Sequence, residues 1–222
     1  LALDGADGGK YQLPAAPTLA GQIRPKTVTL SATKTYDGST ALTGSQVAIG
    51  TGVGSETLTY SGATASSRNV ADNASNFISA ITLGNGSNGG LASNYQLPTL
   101  NNTNAPVTID PKSVVLAAAN VSKIYDATLN YATTADNLAA LSSQLGVSGD
   151  AVTAATIAYT DRNAGTGNRT VTLDAVTINN GNDNYILTLQ GNNTSTITPK
   201  ALSLLGITGV PSELTKPAGF TG

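Results

Sequence analysis

A long internal repeat constrains the fold of this chain more than any other feature of its sequence. An isoleucine followed two residues later by Pro-Lys recurs three times, with prolines at positions 25, 111 and 199, which are 86 and 88 residues apart. A Lys-x-Tyr-Asp motif also recurs, at Tyr36 and Tyr125. Solenoid repeats are usually about 20 to 50 residues long. A period of this length therefore indicates that each copy is a domain rather than one rung of a solenoid.

The repeat predicts four segments. Residues 1–26 match the tail of a preceding copy, residues 27–112 and 113–200 form two complete copies, and residues 201–222 begin a following segment. The proline before each junction offers no backbone N–H, so a strand should end there. Because the next strand pattern starts directly after each Pro-Lys, no flexible linker separates the copies, and we expect a stiff array.

Each copy has the pattern of short β-strands. Residues 27–32 alternate between polar and apolar side chains, as a half-buried strand does. Turn clusters rich in Gly, Asn and Ser separate the other candidates. The pattern predicts strands at residues 27–32, 56–64, 76–83, 94–100 and 105–110 in copy one, at 113–121, 156–160, 169–178, 184–189 and 195–198 in copy two, and at 201–205 in a third copy.

Copy two is longer than copy one between Tyr125 and Gly149, if Gly149-Asp150 is aligned with Gly54-Ser55. The inserted residues 136–146 place leucines 138, 141 and 145 at helical spacing, with Asp136 as the N-cap and Gly146 past the end. We therefore predict a mainly β, all-β-class chain of two tandem elongated domains, each a sandwich or a β-grasp-like sheet. At most one short helix is expected, in the second copy.

The Tyr-Asp pair has two interpretations. In one, Asp37 and Asp126 bind a ligand or a cation beside a tyrosine platform; in the other, which we favour, the tyrosine packs inward and the aspartate caps a turn through the backbone two residues on. Copy two has Ala127 where copy one has Gly38. That substitution predicts a position that does not require positive φ.

Further residues recur beside this pair. Arg68-Asn69 and Arg162-Asn163 also recur, eight residues after Tyr60 and three after Tyr159. We expect each arginine to tie two turns together by charge-assisted hydrogen bonds, and a ligand-binding arginine is the alternative. We expect these residues to form a structural repeat motif and not a catalytic, cofactor or metal site, although recurrence by descent is weak support for either role. The motif residues are Tyr36, Asp37, Arg68, Asn69, Tyr95, Pro111, Tyr125, Asp126, Arg162, Asn163, Tyr185 and Pro199.

Composition argues against several classes of function. The chain has no His, no Cys and only two glutamates, Glu56 and Glu213, so the usual general bases are nearly absent and we expect no enzyme, no cofactor and no metal. A net charge of −2 without a basic run argues against nucleic acid. No stretch approaches the roughly 20 apolar residues of a membrane helix.

The order of short motifs resembles the YDG/MBG repeat family. The resemblance rests on Lys-Ile-Tyr-Asp at 123–126, Gly-Val-Ser-Gly-Asp at 146–150, the segment 159–167, Asn-Tyr-Ile-Leu at 184–187 and Ile-Thr-Pro-Lys at 197–200, together with residues 34–38, 68–70, 94–97 and 109–112 of copy one. These motifs cover nearly the whole chain.

The resemblance implies a glycine-rich β module found in tandem in large bacterial surface proteins, especially filamentous-haemagglutinin-like adhesins exported by two-partner secretion. It predicts an extracellular, monomeric stalk segment that supports adhesion or biofilm formation. The expected partners are neighbouring repeats, with host or matrix glycans and like adhesins on other cells as further partners. The alternative is a carbohydrate-binding module in which Tyr60, Tyr131 or Tyr159 stacks on sugar rings, and a third possibility is homophilic contact through exposed strand edges.

Overall fold

The chain forms two compact units, Leu1–Pro111 and Lys112–Gly222, which we call domain one and domain two. A computed structural model describes residues 8–10 and 21–202. The expected end of a preceding copy before residue 21, apart from residues 8–10, lies outside the described residues. So do positions 203–205 of the strand expected in a third copy.

Domain one is built from three small sheets. Its strands are β1 (Lys26–Thr27), β2 (Thr29–Thr35), β3 (Val47–Gly50), β4 (Leu58–Ala65), β5 (Ile78–Asn85), β6 (Tyr95–Gln96) and β7 (Val107–Asp110). Strand β2 is central, with β3 antiparallel on one side and β7 parallel on the other. Strands β4 and β5 form an antiparallel pair, and β1 and β6 a short parallel one.

The core of domain one follows from the alternation along β2. Leu30, Ala32 and Lys34 are buried, while the residues between them are exposed. Val107 and Ile109 of β7 point to the same interior and are each 1% exposed. Burial of an aliphatic side chain contributes about 1.5–3 kcal/mol, so this strip stabilises the domain and fixes the register of β2.

Domain two keeps this plan, and most of its strands are longer. The strands are β8 (Lys112–Ala117), β9 (Ser122–Ile124), β10 (Val152–Tyr159), β11 (Gly165–Ile178), β12 (Tyr185–Gln190) and β13 (Asn192–Thr198). One sheet has the order β10-β11-β13-β9, with β9 and β13 parallel. The second consists of β8 and β12, parallel over six residue pairs.

One α-helix, α1 (Ala135–Leu145), packs against β8 and β10. Thr134 caps it by accepting a hydrogen bond from the Asn137 N–H, and Gly146 ends it with a φ of 62°. The Lys112 ammonium donates to the carbonyls of Leu145 and Gly146, both at 2.9 Å, at the C-terminal end of the helix. A cation at this end interacts favourably with the helix dipole. The assignment of Asp136 as N-cap was wrong: the helix starts one residue before it, and the threonine hydroxyl is the acceptor.

The prediction of a mainly β chain with one short helix in the second copy is confirmed. Sequence patterns missed β3 and β9, which are only four and three residues long. The strand predicted at 94–100 ends at Gln96, because Pro98 follows and offers no N–H to a ladder. No helix in the described part of the chain is long and apolar enough to cross a membrane.

Candidate functional site

Residues of the recurring motifs form a lysine-centred turn in domain one. The turn comprises Lys34, Asp37, Ser39 and Ala41. The Lys34 Nζ donates to Asp37 Oδ1 at 2.7 Å, to the Ser39 carbonyl at 3.1 Å and to the Ala41 carbonyl at 2.9 Å. Its side chain is 1% exposed. Asp37 Oδ1 also accepts the Ser39 N–H at 2.9 Å, so one carboxylate oxygen holds both the turn and the cation.

Domain two has its own lysine-centred turn, formed by Lys123, Asp126, Thr128 and Asn130. The Lys123 Nζ donates to Asp126 Oδ1 at 2.7 Å, to the Thr128 carbonyl at 2.8 Å and to the Asn130 carbonyl at 2.9 Å. The Thr128 N–H and hydroxyl also donate to Asp126 Oδ1, both at 2.9 Å. These bonds, first the one from Lys123, lower the pKa of Asp126 to about 2.

The geometry supports the turn interpretation of the Tyr-Asp pair. The Oδ1 atoms of Asp37 and Asp126 are bonded to a lysine and to a backbone N–H two residues on. Such an aspartate orders its own loop. The salt bridge from the lysine to the aspartate and the hydrogen bonds from the lysine to two carbonyls also fix where the chain leaves β2 and β9.

The prediction that Gly38 and Ala127 do not require positive φ was wrong. Gly38 has a φ of 79° and Ala127 a φ of 64°. Both follow the aspartate, at the point where the turn bends toward the next carbonyl bonded by the lysine. A left-handed conformation costs an alanine about 1 kcal/mol relative to the α region, and the bonds around Lys123 hold Ala127 there.

The two tyrosines of the Tyr-Asp pair are placed alike along the backbone but differ in exposure. The Tyr36 N–H donates to the Asp110 carbonyl and the Tyr125 N–H to the Thr198 carbonyl, both at 2.8 Å. Each bond extends the parallel pairing of its strand by one residue. Tyr36 is buried and Tyr125 half-buried.

The recurring arginines do different things in the two domains. The Arg68 Nη1 donates to the Gly38 carbonyl at 3.0 Å, so it joins its own turn to the lysine-centred turn. Asn69 begins the short turn that follows. The equivalent tie expected for Arg162 is not formed within the described residues, because that side chain is exposed.

In domain two another arginine braces the turn around Arg162, without joining it to the lysine-centred turn. The Arg169 Nη1, on β11, lies 2.5 Å from Asp161 Oδ2. Asp161 Oδ1 accepts the Asn163 N–H at 2.9 Å. The aspartate before Arg162 thus caps the turn, and the guanidinium that braces it comes from a strand.

A tyrosine–carboxylate pair recurs in both domains. The Tyr95 hydroxyl donates to Glu56 Oε2 at 2.5 Å, and the Tyr185 hydroxyl donates to Asp150 Oδ2 at 2.6 Å. Asp150 also accepts from Asn180 Nδ2 at 2.6 Å. The hydrogen bond to Glu56, with burial and the charge of Glu56, raises the pKa of Tyr95. Glu56, not the aligned Ser55, is therefore the counterpart of Asp150.

These tyrosines also mark equivalent positions in the sheets. Tyr95 is the parallel partner of Lys26, and Tyr185 is the parallel partner of Lys112. Pro111 lies between the last residue of β7 and the first residue of β8, and Pro199 directly follows the last residue of β13. The Pro-Lys step thus ends one parallel ladder, and at Lys112 it begins another.

Tyr159 does not provide the sugar platform that the carbohydrate interpretation requires. It is 2% exposed, and its hydroxyl donates to the Val121 carbonyl at 3.1 Å and the Thr196 carbonyl at 2.7 Å. The Lys123 ammonium lies 5.4 Å from its ring centroid, and Tyr131 meets it edge-on. Tyr60 is half-buried, with its hydroxyl bonded to the Gly44 carbonyl. Tyr60 and Tyr159 thus brace the backbone instead of forming an open aromatic face, and Tyr131 packs on Tyr159.

Sequence reasoning missed the residues at the centre of both clusters. Lys34 and Lys123 served only as markers of the repeat, although their position three residues before an aspartate in both copies was the available signal. Glu56 and Asp150 had no such signal, because they differ in type and shift by one position in the alignment. Among the described residues, no group of three or more acidic, His or Cys residues is arranged to hold a metal.

Comparison with known proteins identifies one family. The model of the YDG domain matches residues 20–104 and again residues 110–197. Each match spans the lysine-centred turn and the tyrosine–carboxylate pair of one domain. No curated protein and no solved structure matches the chain.

Proposed function

Since this chain belongs to the YDG domain family, we propose that it is a spacer segment in the stalk of a large secreted bacterial surface adhesin. In this proposal the parent protein leaves the cell by two-partner secretion and the segment lies at the cell surface. Receptor binding resides elsewhere in the parent protein. The segment supports adhesion and biofilm formation by holding the receptor-binding part of the parent protein at a distance from the cell.

The observation that carries the proposal is the connection between the domains. Strand β7 ends at Asp110 and β8 begins at Lys112, so only Pro111 lies between two elements of regular structure. Proline fixes φ near −65° and restricts the residue before it. A connection of this kind contains no flexible linker residues, and a spacer needs a connection that resists bending.

The use of polar groups inside each domain agrees with a mechanical role. Lys34, Asp150 and the tyrosines bonded to Glu56 and Asp150 all hold loops or strands of their own domain. In the described part of the chain, every buried side-chain nitrogen and oxygen has a hydrogen-bond partner. These groups act as internal braces that stabilise a fixed shape.

Small-angle scattering on the full chain tests the spacer proposal. We expect an elongated monomer whose pair-distance distribution ends at a well-defined maximum dimension. A matched variant with a Gly/Ser linker inserted between Pro111 and Lys112 should give a broader distribution, because such linkers behave as random coils. A globular particle, or identical curves for the two proteins, would refute the stiff connection.

The surface location requires a separate measurement. Antibodies raised against this chain should label intact cells that produce the parent protein, and deletion of its secretion partner should abolish the labelling. Beads coated with the chain alone should not adhere to host cells or glycan arrays. Strong adhesion by the isolated chain would assign it receptor binding and contradict the spacer role.

A further inference from the structure

A groove of about 610 Å³ opens in domain one between β3 and β4. We call it the β3–β4 groove. Leu42, Val47 and Ile49 provide apolar lining, and the consecutive residues 57–62 line it as well. Side chains along a strand alternate between the two faces of a sheet, so a face contributes every second residue. A run of consecutive lining residues therefore indicates that β4 presents its edge to the groove.

This edge of β4 has no strand partner along most of its length. Within the described residues β4 belongs to a two-stranded sheet with β5, and β3 is the outer strand beside β2. An isolated bridge from Ala41 to Thr64 pairs only the far end of β4. The bulge in β4 falls after Ser61, so the first half of the strand is regular. Natural edges are often protected by Lys or Pro, and residues 57–62 contain neither.

In domain two, neighbouring residues of the same chain form hydrogen bonds with the equivalent strand. Its β10 corresponds to β4, because the bridge from Asn130 to Ala158 repeats the bridge in domain one. The Thr133 hydroxyl donates to the Ala155 carbonyl at 2.9 Å, and the Val152 N–H donates to Ser142 Oγ at 2.8 Å. Ser142 belongs to α1, and Thr133 lies just before it. Domain one lacks the insert around α1, and the space beside its strand remains open.

We infer that the β3–β4 groove is a docking site for an extended, uncharged peptide strand of a partner polypeptide. The strand adds to the free edge of β4 through backbone hydrogen bonds and places alternate apolar side chains against the half-buried Ile49. Leu42 and Val47, 2% and 8% exposed, add little accessible surface. No charged residue lines the groove, so a charged peptide would be desolvated without a counter-charge. The regular part of the edge, Leu58 to Ser61, accommodates about four residues, or about 14 Å at 3.4 Å per residue.

The shape of the groove selects a single strand over a second copy of this chain. Because β3 and β4 line the same groove, a second copy that paired its own β4 with this edge would bring its β3 alongside as well. A free strand brings no such neighbour. This inference goes beyond the proposed spacer role and does not depend on it.

A titration of the isotope-labelled full chain tests the inference by residue-resolved NMR. The probe is a capped peptide of about eight residues, the upper range of common strand lengths, with Val or Leu at every second position and Thr, Ser or Asn between. We expect saturable shifts confined to the amides of residues 47–50 and 57–62. Strand β10 of the same molecule is the internal control and should not shift. The same peptide with a central proline should not bind, because it lacks an N–H and breaks the strand.

Two variants sharpen the test. Ser61→Lys adds a charge to an exposed edge position, and Ile49→Thr removes apolar surface from a half-buried one. Each should weaken peptide binding by about tenfold or more, as a lost 1.4 kcal/mol does. The spectra of the free variants show whether they fold, and the proline peptide on the unaltered chain tests the inference without them.

Three results would overturn the proposal. They are absence of shifts at about millimolar peptide, equal shifts in both domains, or concentration-dependent shifts of residues 57–62 without peptide, which would make a second copy the occupant. None of these results bears on the scattering test of the spacer.

Discussion

Strand β2 of domain one and strand β8 of domain two each have one edge whose backbone N–H and carbonyl groups need hydrogen-bond partners, and the two domains provide these partners differently. In domain one, β3 pairs with β2, and Ser31 lies opposite Ala48. In domain two, the counterpart of Ser31 is Ala117 of β8, and a helix lies there instead of a strand. The Gln144 side chain accepts the Ala117 N–H at 2.8 Å and donates to the Ala117 carbonyl at 3.1 Å. One glutamine amide thus replaces two backbone bonds of a missing strand.

This difference separates what the fold requires from what it tolerates. Both domains keep the lysine-centred turn, the tyrosine–carboxylate pair and the parallel pairing of the Pro-Lys strand. The neighbours differ: Glu56 of domain one is exchanged for Asp150 in domain two, and Arg68 bonds the lysine-centred turn of domain one, whereas Arg169 braces a different turn in domain two. The strand edge needs hydrogen-bond partners, but a side chain on a helix meets that need as well as a strand does.

The largest expected effect comes from removing the lysine at the centre of each turn. Lys34→Met leaves Asp37 and two carbonyls without their buried donor, and we expect a loss of about 2–3 kcal/mol from the free energy of unfolding of domain one. Lys123→Met should cost less, about 1–2 kcal/mol, because that side chain is 11% exposed. Amide hydrogen exchange resolves the two domains in one sample. The control, Lys200→Met at an exposed position, should change neither, and equal losses in both domains would contradict the role assigned to burial.

The next largest effect tests the glutamine that replaces a strand. Gln144→Ala leaves the N–H and carbonyl of Ala117 without their partner, and we expect domain two to lose about 1–2 kcal/mol. Ser143→Ala, on the same helix turn, should be neutral within about 0.5 kcal/mol, because an exposed alanine suits a helix. Chemical denaturation followed by hydrogen exchange at β8 measures both. If Gln144→Ala is as neutral as its control, water satisfies the edge and the glutamine is dispensable.

A smaller effect of opposite sign in the two domains follows from the left-handed residue after each aspartate. Ala127→Gly should stabilise domain two by about 0.5–1 kcal/mol, because glycine adopts positive φ without a Cβ clash. Gly38→Ala should destabilise domain one by about 1 kcal/mol for the same reason. Paired thermal and denaturant unfolding of the two variants measures the difference. Changes of the same sign in both would show that the turn has a different conformation in one domain.

The smallest effect is a dependence on acid. Because the folded pKa of Asp126 is about 2, below the usual value of 3.8, its contribution to stability is complete above about pH 4. That contribution is lost as the pH falls from there toward 2. NMR titration of the carboxyl gives its pKa directly, and Asp126→Asn should flatten this part of the stability profile of domain two. A measured pKa near 3.8 would indicate that Lys123 does not hold the carboxylate in solution.

Most of the fold could be predicted from the repeat and from the strand pattern, because both depend on local sequence. The alternation of residues 27–32 and the Pro-Lys steps identified strands and their ends. Strands β3 and β9 were missed because a strand of three or four residues is too short for a period to show. The N-cap of α1 was misassigned because Thr134 and Asp136 are both good N-cap residues by type, and only the structure shows that the Asn137 N–H donates to the Thr134 hydroxyl.

The candidate site was less accessible from sequence. The turn-forming role of Asp37 and Asp126 followed from a local preference, but the lysine that completes it reaches carbonyls five and seven residues on. Positive φ at Ala127 was missed because residue type was taken to decide conformation, whereas bonds on both sides of the alanine impose it. The exchange of Glu56 for Asp150 is visible only in three dimensions, because a longer side chain one position later reaches the same hydroxyl.

The ammonium of Lys34 makes the lysine-centred turn of domain one independent of the calcium concentration around the protein. Carboxylate and carbonyl oxygens are the ligands that calcium takes in many extracellular modules, and here they surround a group that is covalently part of the chain. A calcium ion in such a position exchanges with the medium and leaves when calcium is scarce. A lysine does neither, so this turn has the same occupant in calcium-rich and calcium-poor water.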